Sequence, residues 1–478
     1  MLFTSANYFV FLAIIFFAYW LLATSRRVPV LFLLAASYYF YALWNPKFLG
    51  LIFLLSTIDF TVALGLGGSR SRTLRKLLVT ISVLTDVGVL FAFKYFNFFS
   101  ESLTDLLRNA GWHVSPLSLG NLILPLGLSF ITFRSLSYVI DVYRGNISPT
   151  RRYFDYLAFV AFFPTIIAGP VVRAADLLPQ FRTRPELTSE QGTQAIFLIM
   201  LGLIKKIAIA DFLGNNLVDR VFDQPQLYSS LETLAAIYGY ALQIYCDFSG
   251  YSDIAIGSAL LLGFKLPLNF DAPYRAWDLR DFWRRWHITL STWLFDYVFV
   301  SIGGLRKRRF NLYRNLVLTF LVGGLWHGAA WTFVIWGGLH GLGLSVNHWW
   351  VDRKRSSTGR RRPRSVPRWW SKALGILVTF HFVCLTWVVF RAESLAGAWQ
   401  VLRRLGALQF SAGNLSTPIL LVLAVAYLSH WSPEILTARI DKAWAWLPAP
   451  IQAALILVLA MGLYYVAGAE AQFIYGNF

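Results

Sequence analysis

The chain is a succession of apolar runs, many of them about 17 to 25 residues long, the length a helix needs to cross the hydrocarbon of a bilayer. Hydrocarbon holds no water to satisfy backbone N–H and C=O groups, so spanning segments become helices or closed barrels. Here the runs are continuous and lack the ten-residue alternation of barrel strands, which leaves helices. Composition agrees, with 57% hydrophobic residues and only 14% charged, against roughly 25% charged in a soluble domain. The expectation is an all-α polytopic integral membrane protein.

The net charge of +19 invites a nucleic-acid partner. Its placement argues against one, because the basic residues cluster in connectors between apolar runs, and anionic membrane lipids are the expected counter-charge. Apolar runs fall at about 8–24, 30–44, 48–66, 77–99 and 119–140. Arg26 and Arg27, then Arg70, Arg72, Arg75 and Lys76, then Arg144, Arg151 and Arg152 occupy every second connector. That bias predicts cytoplasmic basic loops and an N-terminus outside. Residues 8–24 lack the basic flank and small-residue cleavage site of a removed leader, so they are expected to remain as a first span.

Residues 154–172 are apolar but broken by Pro164 and Pro170, with basic residues at both ends. A re-entrant hairpin is expected, tolerated only where protein or a cavity covers its backbone. Spans recur at 191–213 and 232–262. The stretch 263–311, rich in Trp and Arg, is expected to form helices in the cytoplasmic interface. The basic tract 352–368 is expected to be a cytoplasmic loop. Basic flanks on both sides of 312–350 require an even number of crossings between them, which puts a break near His327. With spans at 371–391, 417–430 and 448–467 the count is about eleven or twelve, in one membrane-embedded unit over 1–478.

An ionisable side chain inside a membrane is a functional candidate. His327, in Gly323-Gly324-Leu325-Trp326-His327-Gly328, is one. A neutral imidazole beside a cavity can take a proton from a hydroxyl, and flanking glycines allow close approach of backbone or ligand. The bland alternative is a packing histidine hydrogen-bonded across the bundle. His287, in Asp281-Phe282-Trp283-Arg284-Arg285-Trp286-His287, is a second candidate, set against an aromatic belt with snorkelling arginines. His340 reads as packing, and His113, His348, His381 and His430 as interfacial. Asp247, Ser249, Tyr251 and Asp253 interrupt an apolar span, either as glue between helices or as the lining of a polar path. Cys246 and Cys384 lie in apolar runs without metal-ligand spacing, and no phosphate-cradling or dinucleotide motif appears, so no bound cofactor or metal is expected.

These segments resemble the membrane-bound O-acyltransferases, in the bacterial branch that includes an alginate O-acetylation subunit. The likeness rests on 243–253, on Leu268-Asn269-Phe270 with Pro273-Tyr274, on 281–294 including Trp283, Arg284 and Arg285, and on Gly324-Leu325-Trp326-His327-Gly328-Ala329 with Trp331 following. The resemblance implies a helical bundle with a central funnel or tunnel, His327 and His287 as its two histidines, and His327 as base. It implies an acyl group drawn from a cytoplasmic thioester such as acetyl-CoA and delivered to an exported polysaccharide through an extracytoplasmic acetyltransferase partner, in a bacterial inner membrane. The tail Phe473-Ile474-Tyr475-Gly476-Asn477-Phe478 resembles the Phe-x-Tyr-x-x-Phe end of this branch. Tyr475 is therefore a candidate acyl carrier, since a phenol with a pKa near 10 is a good leaving group; an aromatic interfacial anchor is the alternative. Two other functions remain open: D-alanyl transfer to teichoic acid from an acyl carrier protein, and a conduit without chemistry.

Overall fold

The computed structural model describes residues 3–25, 27–120, 122–304, 309–356 and 368–466. Among these the regular structure is helical. The chain divides into two compact units, residues 1–199 with 253–267, and residues 200–252 with 268–478. The tail carrying Tyr475 and most of the basic tract 352–368 lie outside the described residues.

The first unit contains α1 (Ala6–Leu22), α2 (Val28–Ala42), α3 (Leu49–Gly68), α4 (Arg72–Leu90), α5 (Phe96–Asn109), α6 (Leu128–Arg144), α7 (Tyr153–Ala161), α8 (Phe163–Ile166) and α9 (Ala174–Leu177). Ser5 and Ser71 cap α1 and α4 by accepting from Tyr8 N–H and Leu74 N–H. The run expected from 119 begins as helix only at Leu128. Gly127, at φ 71°, makes the left-handed turn into it, and a side chain there would overlap the Ile166 carbonyl. Tyr8 donates to Ser258 at 2.8 Å and Trp20 to the Leu261 carbonyl at 3.1 Å, tying α1 to the chain's return through 253–267.

The proline-broken segment is buried throughout 155–172. Val160 would ordinarily accept from the N–H four residues on, but that residue is Pro164, which has none. Arg134, fully buried on α6, supplies the missing donor: Nη1 donates to Val160 O at 3.0 Å and Nη2 to Thr165 O. On the other side of the break, Phe163 N–H donates to Ser37 Oγ at 3.1 Å. The irregular backbone is thus satisfied by neighbouring helices, as burial at membrane depth requires. Arg134→Met keeps the bulk and removes both donors. It is expected to destabilise the chain by about 1–3 kcal/mol for each carbonyl left bare, read as a lower thermal midpoint in detergent; an unchanged midpoint would contradict this role.

α10 (Ser189–Leu203) leads into the second unit, continuing as wide-turn helix over Ile204–Asp211 and Gly214–Val218. There follow α11 (Asp219–Asp223), α12 (Ser230–Leu261), α13 (Leu279–Arg285), α14 (Ile288–Trp293), α15 (Arg309–His327), α16 (Trp331–Ser356), α17 (Trp369–Arg391), α18 (Leu395–Leu405), α19 (Thr417–Trp431), α20 (Glu434–Trp446) and α21 (Ala449–Val466). α15 and α16 form a hairpin packed along its length, with its break just after His327, where charge parity placed it.

Three helical stretches among the described residues are long and apolar enough to cross a membrane: Pro46–Gly68, Arg72–Asn109 and Trp369–Arg391. A fourth arises if Arg439–Trp446 and Ala449–Tyr465, bent by 117°, form one span. Ala6–Leu22, Val28–Ala42 and Thr417–Trp431 are shorter apolar helices. Their outward faces carry large apolar side chains such as Phe17, Leu84, Leu428 and Val458. The chain is an all-α polytopic membrane protein.

Candidate active site

The second unit holds both candidate histidines. His327 ends α15 and is 2% exposed. Its ring lies 5.0 Å from that of Trp326, 5.1 Å from Trp336 on α16 and 5.3 Å from Phe390 on α17, all edge to face. Trp336 stacks on Trp387 at 5.6 Å, one turn of α17 before Phe390. The imidazole is therefore walled by aromatic faces from three helices. Gly324 lets this happen, because it allows the α15 backbone to approach α16 at Phe333 and Gly337.

His287 sits between α13 and α14, fully buried, with its ring centroid 5.9 Å from that of Trp326. Phe248 of α12 meets it edge-on at 4.6 Å. This loop lies outside the spanning helices; burial lowers the His287 pKa to about 3, so its ring is neutral. Its backbone adopts φ 42°, a left-handed conformation costly for a residue with a side chain. Asn269 clamps it there. The Asn269 carbonyl accepts from Ile288 N–H at 2.9 Å, and its side-chain Oδ1 accepts from Thr289 Oγ1 at 2.8 Å and Thr289 N–H at 3.4 Å, with His287 Nδ1 at 3.1 Å.

The Trp- and Arg-rich stretch was expected to lie in the membrane interface. The structure buries Trp286, His287, Trp293 and Tyr297 in the second unit. The charges that suggested an interface are spent locally: Arg285 pairs with Asp271 and Asp281, and Arg280 with Asp278, while Arg284 stays exposed. Trp283, half-buried, donates from Nε1 to His340 Nδ1 at 3.3 Å. His340 Nε2 then has its proton for Thr386 Oγ1 at 2.9 Å, which in turn donates to the Val383 carbonyl. His340 is a saturated strut between α13, α16 and α17, as expected of a packing histidine.

His430 was expected at an interface. It is buried on α19, accepts Tyr274 N–H through Nε2 at 3.2 Å, and lies against the Tyr245 and Tyr274 rings. Tyr274 donates to the Ala241 carbonyl at 2.6 Å and so ties its loop to α12.

The polar interruption of α12 divides. Asp247 is buried and pairs with Lys206 at 2.6 Å; Lys206 also holds Asp211 at 2.6 Å and lies 5.7 Å from the Tyr251 ring. Ser249 and Tyr251 are buried beside them. A side chain at Gly250 would press on the Gly202 carbonyl at 2.7 Å and the Lys206 nitrogen at 3.2 Å, so α12 packs closely where α10 passes into the wide-turn helix. The geometry is that of helix-joining glue. Asp253 belongs to the first unit and is partly exposed. Trp331, at the start of α16, is 52% exposed. Lys206, Asn269, Trp336 and Phe390 were not singled out from sequence. Lys206 carried a signal, a charge inside an apolar run; the rings gave none, since one aromatic among so many does not mark itself.

Residues 148–385, which contain both histidines, match the model of the membrane-bound O-acyltransferase family. A protein named Probable alginate O-acetylase from Azotobacter vinelandii is 42% identical over 412 residues, covering 86% of this chain and 78% of the relative. The Peptidoglycan O-acetyltransferase of Helicobacter pylori is 37% identical over 424 residues, covering 83% of this chain and 77% of the relative. A Teichoic acid D-alanyltransferase from Streptococcus thermophilus is 31% identical over 283 residues, covering 55% of this chain and 68% of the relative.

Proposed function

The chain belongs to the membrane-bound O-acyltransferase family and is an acyltransferase, and from that premise we propose that it passes an acetyl group from a cytoplasmic acyl thioester, such as acetyl-CoA, towards hydroxyls of an exported polysaccharide, with His327 as general base. The observation that carries the proposal is the placement of His327: at the break of the α15–α16 hairpin, buried, and joined through Trp326 to a second buried imidazole. In such a site an attacking hydroxyl oxygen bonds to the thioester carbonyl carbon while the imidazole takes its proton. The C–S bond then breaks, and the departing sulfur recovers that proton, so an ester and a thiol leave. Aromatic walls exclude water that would otherwise hydrolyse the thioester.

Relatives named for O-acetylation of alginate and of peptidoglycan support a carbohydrate hydroxyl as the final acceptor. The D-alanyl reading is weaker, because that relative matches little more than half of the chain. Basic residues on alternate connectors support insertion in a bacterial inner membrane with the N-terminus outside. The first acceptor is Tyr475, whose phenyl ester keeps its transfer potential for an extracytoplasmic acetyltransferase partner. The test is mass spectrometry of the C-terminal peptide after membranes carrying the full chain receive labelled acetyl-CoA. Label on Tyr475 is the expected result. Unlabelled peptide, together with undiminished polysaccharide acetylation by Tyr475→Phe, would remove the relay.

A further inference from the structure

Neutral imidazole has two tautomers, and which one is present decides what it can do. In the Asn269 clamp the choice follows from a group that cannot act otherwise. Thr289 N–H can only donate, so the Asn269 atom that faces it, at 3.4 Å, is the amide oxygen. The amide nitrogen is then turned the other way, where it donates to Ser252 Oγ at 3.1 Å. Because Oδ1 is an acceptor, the His287 nitrogen at 3.1 Å from it carries a hydrogen. That nitrogen is Nδ1, and the ring's lone pair is left on Nε2. The Ile288 N–H bond to the Asn269 carbonyl and the left-handed backbone at His287 hold the two residues in this register.

We infer that Asn269 is a positioning residue: it locks His287 as the Nδ1–H tautomer, so that Nε2 acts only as a hydrogen-bond acceptor and cannot donate a hydrogen bond to the thioester carbonyl oxygen. The inference rests on the reading of this site as an acyl-transfer centre with His327 as its base, and it removes His287 as a donor to the carbonyl oxygen. In a serine-protease triad the group that holds the histidine tautomer is worth about 10⁴-fold. Asn269 is neutral and is expected to be worth less, at least about tenfold by the same logic.

The experiment uses the full chain in membranes with ring-¹⁵N histidine, the His287 signals being identified by their loss in His287→Gln. The expected wild-type spectrum shows protonated Nδ1 and unprotonated Nε2. Asn269→Leu is expected to lose that pattern and at least tenfold in acetyl transfer per inserted chain. Asn269→Asp should restore both, because its carboxylate accepts the same three donors while the Ser252 hydroxyl turns round to donate. A wild-type His287 protonated at Nε2 would overturn the inference, and so would Asn269→Leu that transfers at the wild-type rate. The wild-type spectrum needs no variant to fold and reads the tautomer whether or not transfer occurs, so it separates failure of this assignment from failure of the acyltransfer reading.

Discussion

Gly337→Ala is expected to prevent the chain from accumulating in a folded form, whereas Gly338→Ala, one residue along the same helix, is expected to be tolerated. A side chain at Gly337 would overlap the Phe320 carbonyl of α15 and lie 3.3 Å from the Gly324 α-carbon. At Gly338 the nearest atom is a Leu321 methyl at 3.6 Å, an ordinary contact. Overpacking typically costs about 1–3 kcal/mol where a side chain can yield. Here two helix backbones would have to separate, so the cost lies at the top of that range or above, a large part of the roughly 5–15 kcal/mol that stabilises a whole domain. Gly324→Ala should behave like Gly337→Ala, since its side chain would strike the Phe333 carbonyl from the other side. Membrane yield and thermal midpoint in detergent check both. Equal yields for Gly337→Ala and Gly338→Ala would show that the hairpin is not held by this close approach. Because α15 and α16 together wall His327, the same contact positions the candidate base.

Much of this was legible because one rule governs apolar segments in lipid. α17, expected at 371–391, is Trp369–Arg391, and α19, expected at 417–430, is Thr417–Trp431. Charge parity alone put a break at His327, and α15 ends there. What was not legible depends on partners distant in sequence. Arg134 completes the backbone around Pro164, and Lys206 neutralises Asp247; neither pairing has a periodicity or spacing to announce it. α18 and α20 are short and amphipathic, below the length and apolarity by which spans are recognised. The burial of the 281–297 run was not legible either, because arginine beside tryptophan suits an exposed belt and equally suits a loop whose arginines find carboxylates on their own segment.

His327→Gln and His327→Ala are expected to lower acetyl transfer by about 10²–10⁴-fold, the usual worth of a positioned general base. Glutamine retains a polar side chain of similar bulk among Trp326, Trp336 and Phe390 but cannot take a proton at neutral pH, so its loss reports chemistry and not a cavity. Both variants should insert, because the close approach of the α15 and α16 backbones at Gly324 and Gly337 is left intact. The most direct measurement is the rate of labelled acetyl transfer per folded chain, wild type against His327→Gln, in vesicles supplied with acetyl thioester on the cytoplasmic face. The site as built predicts that the variant folds with normal yield and loses transfer by two orders of magnitude or more. A folded variant that transfers at the wild-type rate would contradict it, and would leave the buried imidazole as a packing residue in an enzyme whose base lies elsewhere.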